Sequence, residues 1–230
     1  MDAASIVVLE DATTITPLAF KQCLNILNGV EKQHNTKMKS PKRRQQYAIS
    51  RFLLIKIIHQ QLGIRVSLST SPTGQPLIIG WPAFCSISHS GNSVAVGFST
   101  YGAIGVDIEQ HRQRKINKLV KHYFHKDEVA DFNTLNEEQK LLWFYRQWTI
   151  KEATVKATGE GISFHNLDRK INGINNNVFT SVKTGKGYSL ACVHHDNRPL
   201  QLANITFRNN SPWIEISLQK FCSQQQLQKE

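Results

Sequence analysis

The chain has 230 residues, 40% of them apolar and 20% charged, which suits a globular protein with one large core or two lobes of about a hundred residues each. Lysine and arginine number 28 against 17 aspartates and glutamates, so the net charge of +11 attracts anions without saying which. No apolar run approaches the roughly 20 residues of a membrane helix, Met1–Ser5 lacks the basic and apolar regions of a secretory leader, and Cys23, Cys85, Cys192 and Cys222 form no CxxC pair; we expect a cytoplasmic protein with free thiols.

In chain order, Lys37–Arg44 gathers basic residues ahead of a helical pattern in which Tyr47, Phe52, Leu54, Ile55 and Ile58 recur, with Pro41 suited to its first turn. Ile64–Leu68 alternates as a short strand and Ser71–Pro76 is a turn cluster. Phe84–His89 and Ser93–Phe98 read as paired strands around Ser90-Gly91-Asn92, and Ala103–Ile108 as another strand. Helices follow at Ile116–Tyr123, Lys126–Phe132 and Glu137–Thr158, the last opened by two glutamates and stopped by Gly159. Strands are expected at Val178–Lys183, Tyr188–Val193 and Trp213–Leu218, a polar loop at Asn172–Asn177 and a fraying end at Ser223–Glu230. The reading is α+β, with two similar lobes at 1–103 and 104–230.

The chemistry gathers in three places. Trp148-Thr149-Ile150-Lys151-Glu152-Ala153-Thr154-Val155-Lys156 puts Trp148, Glu152 and Lys156 on roughly one helix face, with Lys151 at its edge; an ordinary solvated face would look the same. Ile104-Gly105-Val106-Asp107-Ile108-Glu109 points Asp107 and Glu109 to one side of a strand, where two close carboxylates call for a cation between them. Magnesium, which prefers a few carboxylate oxygens together with water and phosphate, fits that need, although a solvated strand end next to His111 and Arg112 also satisfies it. Ser88-His89-Ser90 offers hydroxyls and an imidazole suited to a phosphate, or simply a hydrogen-bonded turn. Carboxylates, lysines and a phosphate-compatible turn together describe phosphoryl-transfer equipment, while neither GxxxxGK[ST] nor GxGxxG is present.

Thr73-Gly74-Gln75-Pro76, Ser86-Ile87-Ser88-His89-Ser90, Ile104–Glu109, Phe124-His125-Lys126-Asp127-Glu128 and Trp148–Lys156 stand in the order of the motifs of the 4′-phosphopantetheinyl transferases, and the chain resembles the larger two-lobed type of that family. The resemblance implies two α+β lobes related by a pseudo-twofold, with coenzyme A in the cleft between them. It implies Mg²⁺-dependent transfer of the phosphopantetheine arm to a serine of an acyl or peptidyl carrier protein, releasing adenosine 3′,5′-bisphosphate. Asp107, Glu109 and Glu152 would hold Mg²⁺. Lys156 and His89 would contact the pyrophosphate, with Ser88 and Lys151 beside them, and Arg44 and Arg51 would bind the 3′-phosphate. Glu152 or a metal-organised water would take the serine proton. Gln75 stands where the family often has lysine, and Ser86 where asparagine is common.

A monomer that takes an acidic carrier protein, and neither nucleic acid nor a membrane, is the expectation, with His111–Lys115 at the rim of the cleft. A metal-dependent nuclease and a non-catalytic nucleic-acid module are the competing readings. Against both, the aromatic residues are not interleaved with the basic clusters, and no helix-turn-helix or zinc-finger spacing occurs.

Overall fold

Strand β1 (Ser5–Leu9, sequence SIVVL) is buried along its whole length, because its two sides face two different cores. Val7 and Leu9 join a cluster with Ile49, Leu53, Val94 and Phe98, whereas Ile6 and Val8 join one with Val106, Ile108, Leu190 and Cys192. Strand alternation thus turns five consecutive buried residues into the wall between two packed layers. The computed structural model describes residues 4–72, 74–160, 167–168, 179–185, 187–195, 200–205 and 219–221.

The first half supplies helices α1 (Pro17–Asn25), α2 (Gly29–Lys37) and α3 (Pro41–Leu62), then strands β2 (Ser67–Thr70), β3 (Pro76–Ile79), β4 (Phe84–Ser90) and β5 (Ser93–Ser99). Helix α3 starts where the Ser40 hydroxyl accepts the Arg43 N–H and Pro41 follows; it stops at Gly63, whose φ of 68° a side-chain-bearing residue adopts only with strain. The second half supplies β6 (Ile104–Gln110), α4 (Ile116–Tyr123), α5 (Lys126–Asn133), α6 (Glu137–Thr158), β7 (Phe179–Gly185), β8 (Tyr188–His194), β9 (Leu200–Ile205) and β10 (Gln219–Phe221).

One sheet has the order β10-β9-β1-β5-β4, with β9 parallel to β1 and the other neighbours antiparallel; a second runs β6-β8-β7; and β2 and β3 form a separate hairpin. Helix α3 covers one face of the larger sheet and the β6-β8-β7 sheet covers the other. On the far side of β8, Ala191 and Val193 meet Ile150, Ala153 and Ala157 of α6. The described layers are therefore helix, sheet, sheet, helix.

Mixed helix and sheet is as the residue pattern predicts, and α4 and α6 have the predicted bounds. The strand expected at Ile64–Leu68 begins instead at Ser67, and β1, α1, α2, β3, β9 and β10 were not foreseen. The expectations for Asn172–Asn177, Trp213–Leu218 and Ser223–Glu230 fall outside the described residues. No helix among the described residues is long and apolar enough to cross a membrane.

The layer that matters most for the site is α6 on β6, and Gly105 sets its spacing. A Cβ at that position would lie 1.8 Å from the Ala153 carbonyl oxygen and 2.6 Å from the Ala157 nitrogen, both backbone atoms that cannot turn aside. Gly105→Ala should therefore push α6 outward and destabilise the protein by about 1–3 kcal/mol, the usual range for overpacking. Urea unfolding measures the loss; a variant as stable as the parent would show that the helix has room to move.

Candidate active site

Strand β6 carries Asp107 and Glu109, and β4 lies beside it without a backbone ladder assigned between the two. Serine side chains make the junction instead. The hydroxyls of Ser86, Ser88 and Ser90 accept the backbone N–H groups of Val106, Ile108 and Gln110 at 3.0, 3.3 and 3.1 Å. Ser88 then donates its hydrogen to Asp107 Oδ1 at 2.7 Å, and Ser90 donates to Glu109 Oε2 at 2.8 Å.

Helix α6 brings Glu152 and Lys156 to the same place. The Lys156 ammonium lies 2.7 Å from Asp107 Oδ1 and 3.9 Å from Glu152 Oε2, and it also reaches Ser88 Oγ and the Val106 carbonyl. Burial, and next the nearby Asp107 charge, push the Glu152 carboxyl up to about 8. Burial also raises Glu109, which Arg114 approaches at 3.5 Å. Trp148 roots the helix one turn earlier, with its ring 5.6 Å from those of Tyr123 and Phe144.

Whether these residues suit a divalent cation turns on one atom. Asp107 Oδ2 is buried and has no hydrogen-bond partner among the described residues. As two carboxylates, Asp107 and Glu152 can only accept, so a proton on Glu152 or a bound cation is what that oxygen lacks. Among the described residues no three His, Cys, Asp or Glu side chains already stand as a metal-ligand set, and Lys156 is the present counter-charge on Asp107. The donors themselves are hard oxygens on a strand and a helix that face each other, which is chemistry that fits magnesium.

The other expected residues are placed as follows. Lys151 is one step along the helix from Glu152 and turns away: its buried ammonium lies 2.7 Å from Glu128 Oε2 and 2.8 Å from the Leu167 carbonyl oxygen, above the Phe124 ring. Burial lowers its proton affinity, opposed by Glu128. Gln75 donates to the Lys156 carbonyl oxygen at 3.0 Å and so braces the end of α6. Arg51 is buried, 3.5 Å over the Tyr47 ring and 3.5 Å from Glu31. Arg44 is exposed and lines a cavity with Phe20, Leu24 and Gln45, whereas Arg51 lines a different one of about 600 Å³ together with Lys39, Arg43, Thr70 and His89. His89 enters that second cavity with Arg43 Nη1 at 2.8 Å from its Nε2; burial lowers its proton affinity and the Arg43 and Lys156 charges push the same way.

Four residues escaped the sequence reading in these roles: Arg43 on His89, Arg114 on Glu109, Glu128 on Lys151, and Tyr145. The Tyr145 hydroxyl accepts the Arg112 N–H and donates to the Arg112 carbonyl, both at 2.9 Å, which pins the chain just after β6. Only Glu128 had a signal, as the fourth residue of a capping box opened by His125.

Residues 103–207 match the model of the 4′-phosphopantetheinyl transferase superfamily, a span that holds Asp107, Glu109, Lys151, Glu152 and Lys156. A Synechocystis sp. protein named only as a candidate 4′-phosphopantetheinyl transferase is 32% identical over 146 residues, which cover 60% of this chain and 59% of that relative. The 4′-phosphopantetheinyl transferase psf-1 of Bacillus pumilus is 31% identical over 116 residues, 49% of each chain. The 4′-phosphopantetheinyl transferase Sfp of Bacillus subtilis is 33% identical over 99 residues, 43% of each. The chain thus spans about half the length of the curated relatives it matches.

The Lys151–Glu128 pair generates a test of how α6 is held. Lys151→Met leaves Glu128 buried without its ammonium and should destabilise by about 3–5 kcal/mol, whereas adding Glu128→Leu should recover most of that loss. Guanidinium unfolding of the single and double variants measures both. A single variant within about 1 kcal/mol of the parent would mean that the pair does not hold the helix.

Proposed function

We propose, from the premise that this chain carries a 4′-phosphopantetheinyl transferase superfamily domain, that it moves the 4′-phosphopantetheine arm of coenzyme A onto a serine hydroxyl of an acyl or peptidyl carrier protein and releases adenosine 3′,5′-bisphosphate. The observation that carries the reading is the meeting of Asp107, Glu152 and Lys156 from one strand and one helix inside the matched span, with Glu109 two residues further along the strand. Asp107, Glu109 and Glu152 would hold Mg²⁺, which when bound supplies charge neutralisation at the pyrophosphate. Lys156 sits beside the carboxylates, so its ammonium can hold a phosphate oxygen once a cation relieves it of Asp107. Positioning of this kind is most of what phosphoryl transfer asks of a protein.

The base is Glu152, or a water that the carboxylates orient. Around the cavity of about 600 Å³, Arg43 and His89 offer the positive charge and the donor that the 3′-phosphate needs, a reading that moves His89 from the pyrophosphate contact expected of it and adds Arg43 to the expected Arg44 and Arg51. Arg51 stiffens its wall through Tyr47, and Arg44 adds charge from the adjoining face. Ser88 and Lys151 act from within the protein, through Asp107 and Glu128 respectively, and Gln75 through α6. The division at residues 103 and 104 would fall between β5 and β6, with the cofactor near the β4–β6 junction, while β9 and β10 return to the sheet that β1, β5 and β4 form. The partner is an acidic carrier protein met by exposed Arg112 and Lys115 at the rim, and the enzyme acts as a cytoplasmic monomer.

Three outcomes test this. Coenzyme A with Mg²⁺ should raise the melting temperature where an oligonucleotide does not, since only a ligand of the native state stabilises it by mass action. Asp107→Ala and Glu152→Ala should each lower single-turnover transfer to an apo carrier protein by about 10²-fold or more while circular dichroism stays native; near-parental rates would remove the carboxylate site. Arg43→Ala should weaken coenzyme A by roughly tenfold or more and its 3′-dephospho analogue much less in calorimetry, as loss of a charge-assisted hydrogen bond implies. Equal losses for the two ligands would mean that Arg43 does not read that phosphate.

A further inference from the structure

We infer that Ser88 and Ser90 are positioning residues for Asp107 and Glu109, each hydroxyl joining strand β4 to β6 and aiming a carboxylate in the same act. The pattern is regular. Every second residue of β4 from Ser86 to Ser90 accepts the N–H of every second residue of β6 from Val106 to Gln110. The carboxylates belong to the residues immediately before two of those N–H groups, so one oxygen can accept from the backbone and donate to the neighbouring side chain.

A hydroxyl has one hydrogen and two lone pairs. Ser88 uses all three, on Asp107, the Ile108 N–H and the Lys156 ammonium, and Asp107 Oδ1 is thereby held while Oδ2 is left open. Ser90 uses its only hydrogen on Glu109 Oε2, the oxygen that Arg114 also approaches at 3.5 Å, so the hydroxyl and the guanidinium fix that oxygen from two directions. Ser86 supplies an internal comparison. It makes the same backbone bond to Val106, but the residue before Val106 is Gly105, which has no carboxylate to aim. Structure alone would make the three serines equivalent; positioning separates two from the third.

As far as it concerns catalysis, the inference rests on the transferase reading. The experiment compares Ser86→Ala, Ser88→Ala and Ser90→Ala, with Ser90→Thr as the variant that keeps the hydroxyl. Amide exchange should quicken at Val106, Ile108 and Gln110 respectively. Mn²⁺ affinity, followed by electron paramagnetic resonance in the presence of coenzyme A, should fall by about tenfold in Ser88→Ala and Ser90→Ala, the factor implied by one lost hydrogen bond to a charged group. It should stay at the parental value in Ser86→Ala and return in Ser90→Thr. The Mg²⁺ concentration for half-maximal transfer should rise in the same two variants, with kcat at saturating Mg²⁺ changing less. Equal effects in all three alanine variants, or none in any, would overturn the inference. If the parent neither binds Mn²⁺ nor transfers, the transferase reading is what fails. The carboxyl-carbon resonances of Asp107 and Glu109 then decide: they must move in Ser88→Ala and Ser90→Ala respectively and hold still in Ser86→Ala, and any other pattern sinks the proposal.

Discussion

Asp107 is 1% exposed, and burying a carboxyl group that deep is costly without close polar partners. Its partners are the Lys156 ammonium at 2.7 Å and the Ser88 hydroxyl at the same distance. Each depends on a different layer contact. Lys156 arrives because Gly105, Ala153 and Ala157 let the helix backbone settle onto the strand; larger residues there would carry the ammonium outward. Ser88 arrives because β4, at the edge of the larger sheet, meets β6, at the edge of the smaller one. The carboxylate is thus the point at which two sheets and one helix have to agree, and the buried Lys151–Glu128 pair and the Trp148 ring pack fix the helix from its other sides.

The same contacts explain why like charges are kept together. Burial first, and the charge of Asp107 as a lesser cause, raise the proton affinity of Glu109 and Glu152. A fold selected for stability alone would replace one of them with an apolar or amide side chain. Keeping three, with Lys156 and Arg114 as their counter-charges among the described residues, leaves a site whose electrostatics improve when a further cation enters.

Much of this could be read from the residues themselves. The ends of α6 were legible because Glu137 and Glu138 open it and Gly159 stops it, and β4 and β5 because a Ser-Gly-Asn turn separates them. Strand β1 was not, since the four-residue apolar run Ile6–Leu9, without alternation, does not say whether it is strand or helix. Helix α2 is nearly all polar, so its only local signal was the Asn28–Glu31 capping box. Within the site, Asp107 and Glu109 were legible from strand period, and Glu152 and Lys156 from helix period. The difference between Lys151 and Glu152 was not: neighbouring helix positions lie about 100° apart, and only the place of α5 decides which of them turns inward to Glu128. Arg43 and Arg44 differ by the same single step. The serine junction was out of reach because its partners lie on a strand about twenty positions on, with no local pattern to announce it.

Strand β1 has β5 on one side and β9 on the other, with Ser5 opposite Phe98 and opposite Gln201. During synthesis the first pairing becomes available when about half of the chain has emerged, the second only when nearly all of it has. At ribosomal speeds of 5–20 residues per second, the β9 side of β1 stands open for roughly 5–20 s after β5 is made. Through that interval an apolar strand presents unpaired N–H and C=O groups, which is a template for pairing with another chain. Closure of that edge by β9 thus comes late in synthesis, and substitutions in β9 that leave the finished fold intact can still lower the yield of folded molecules.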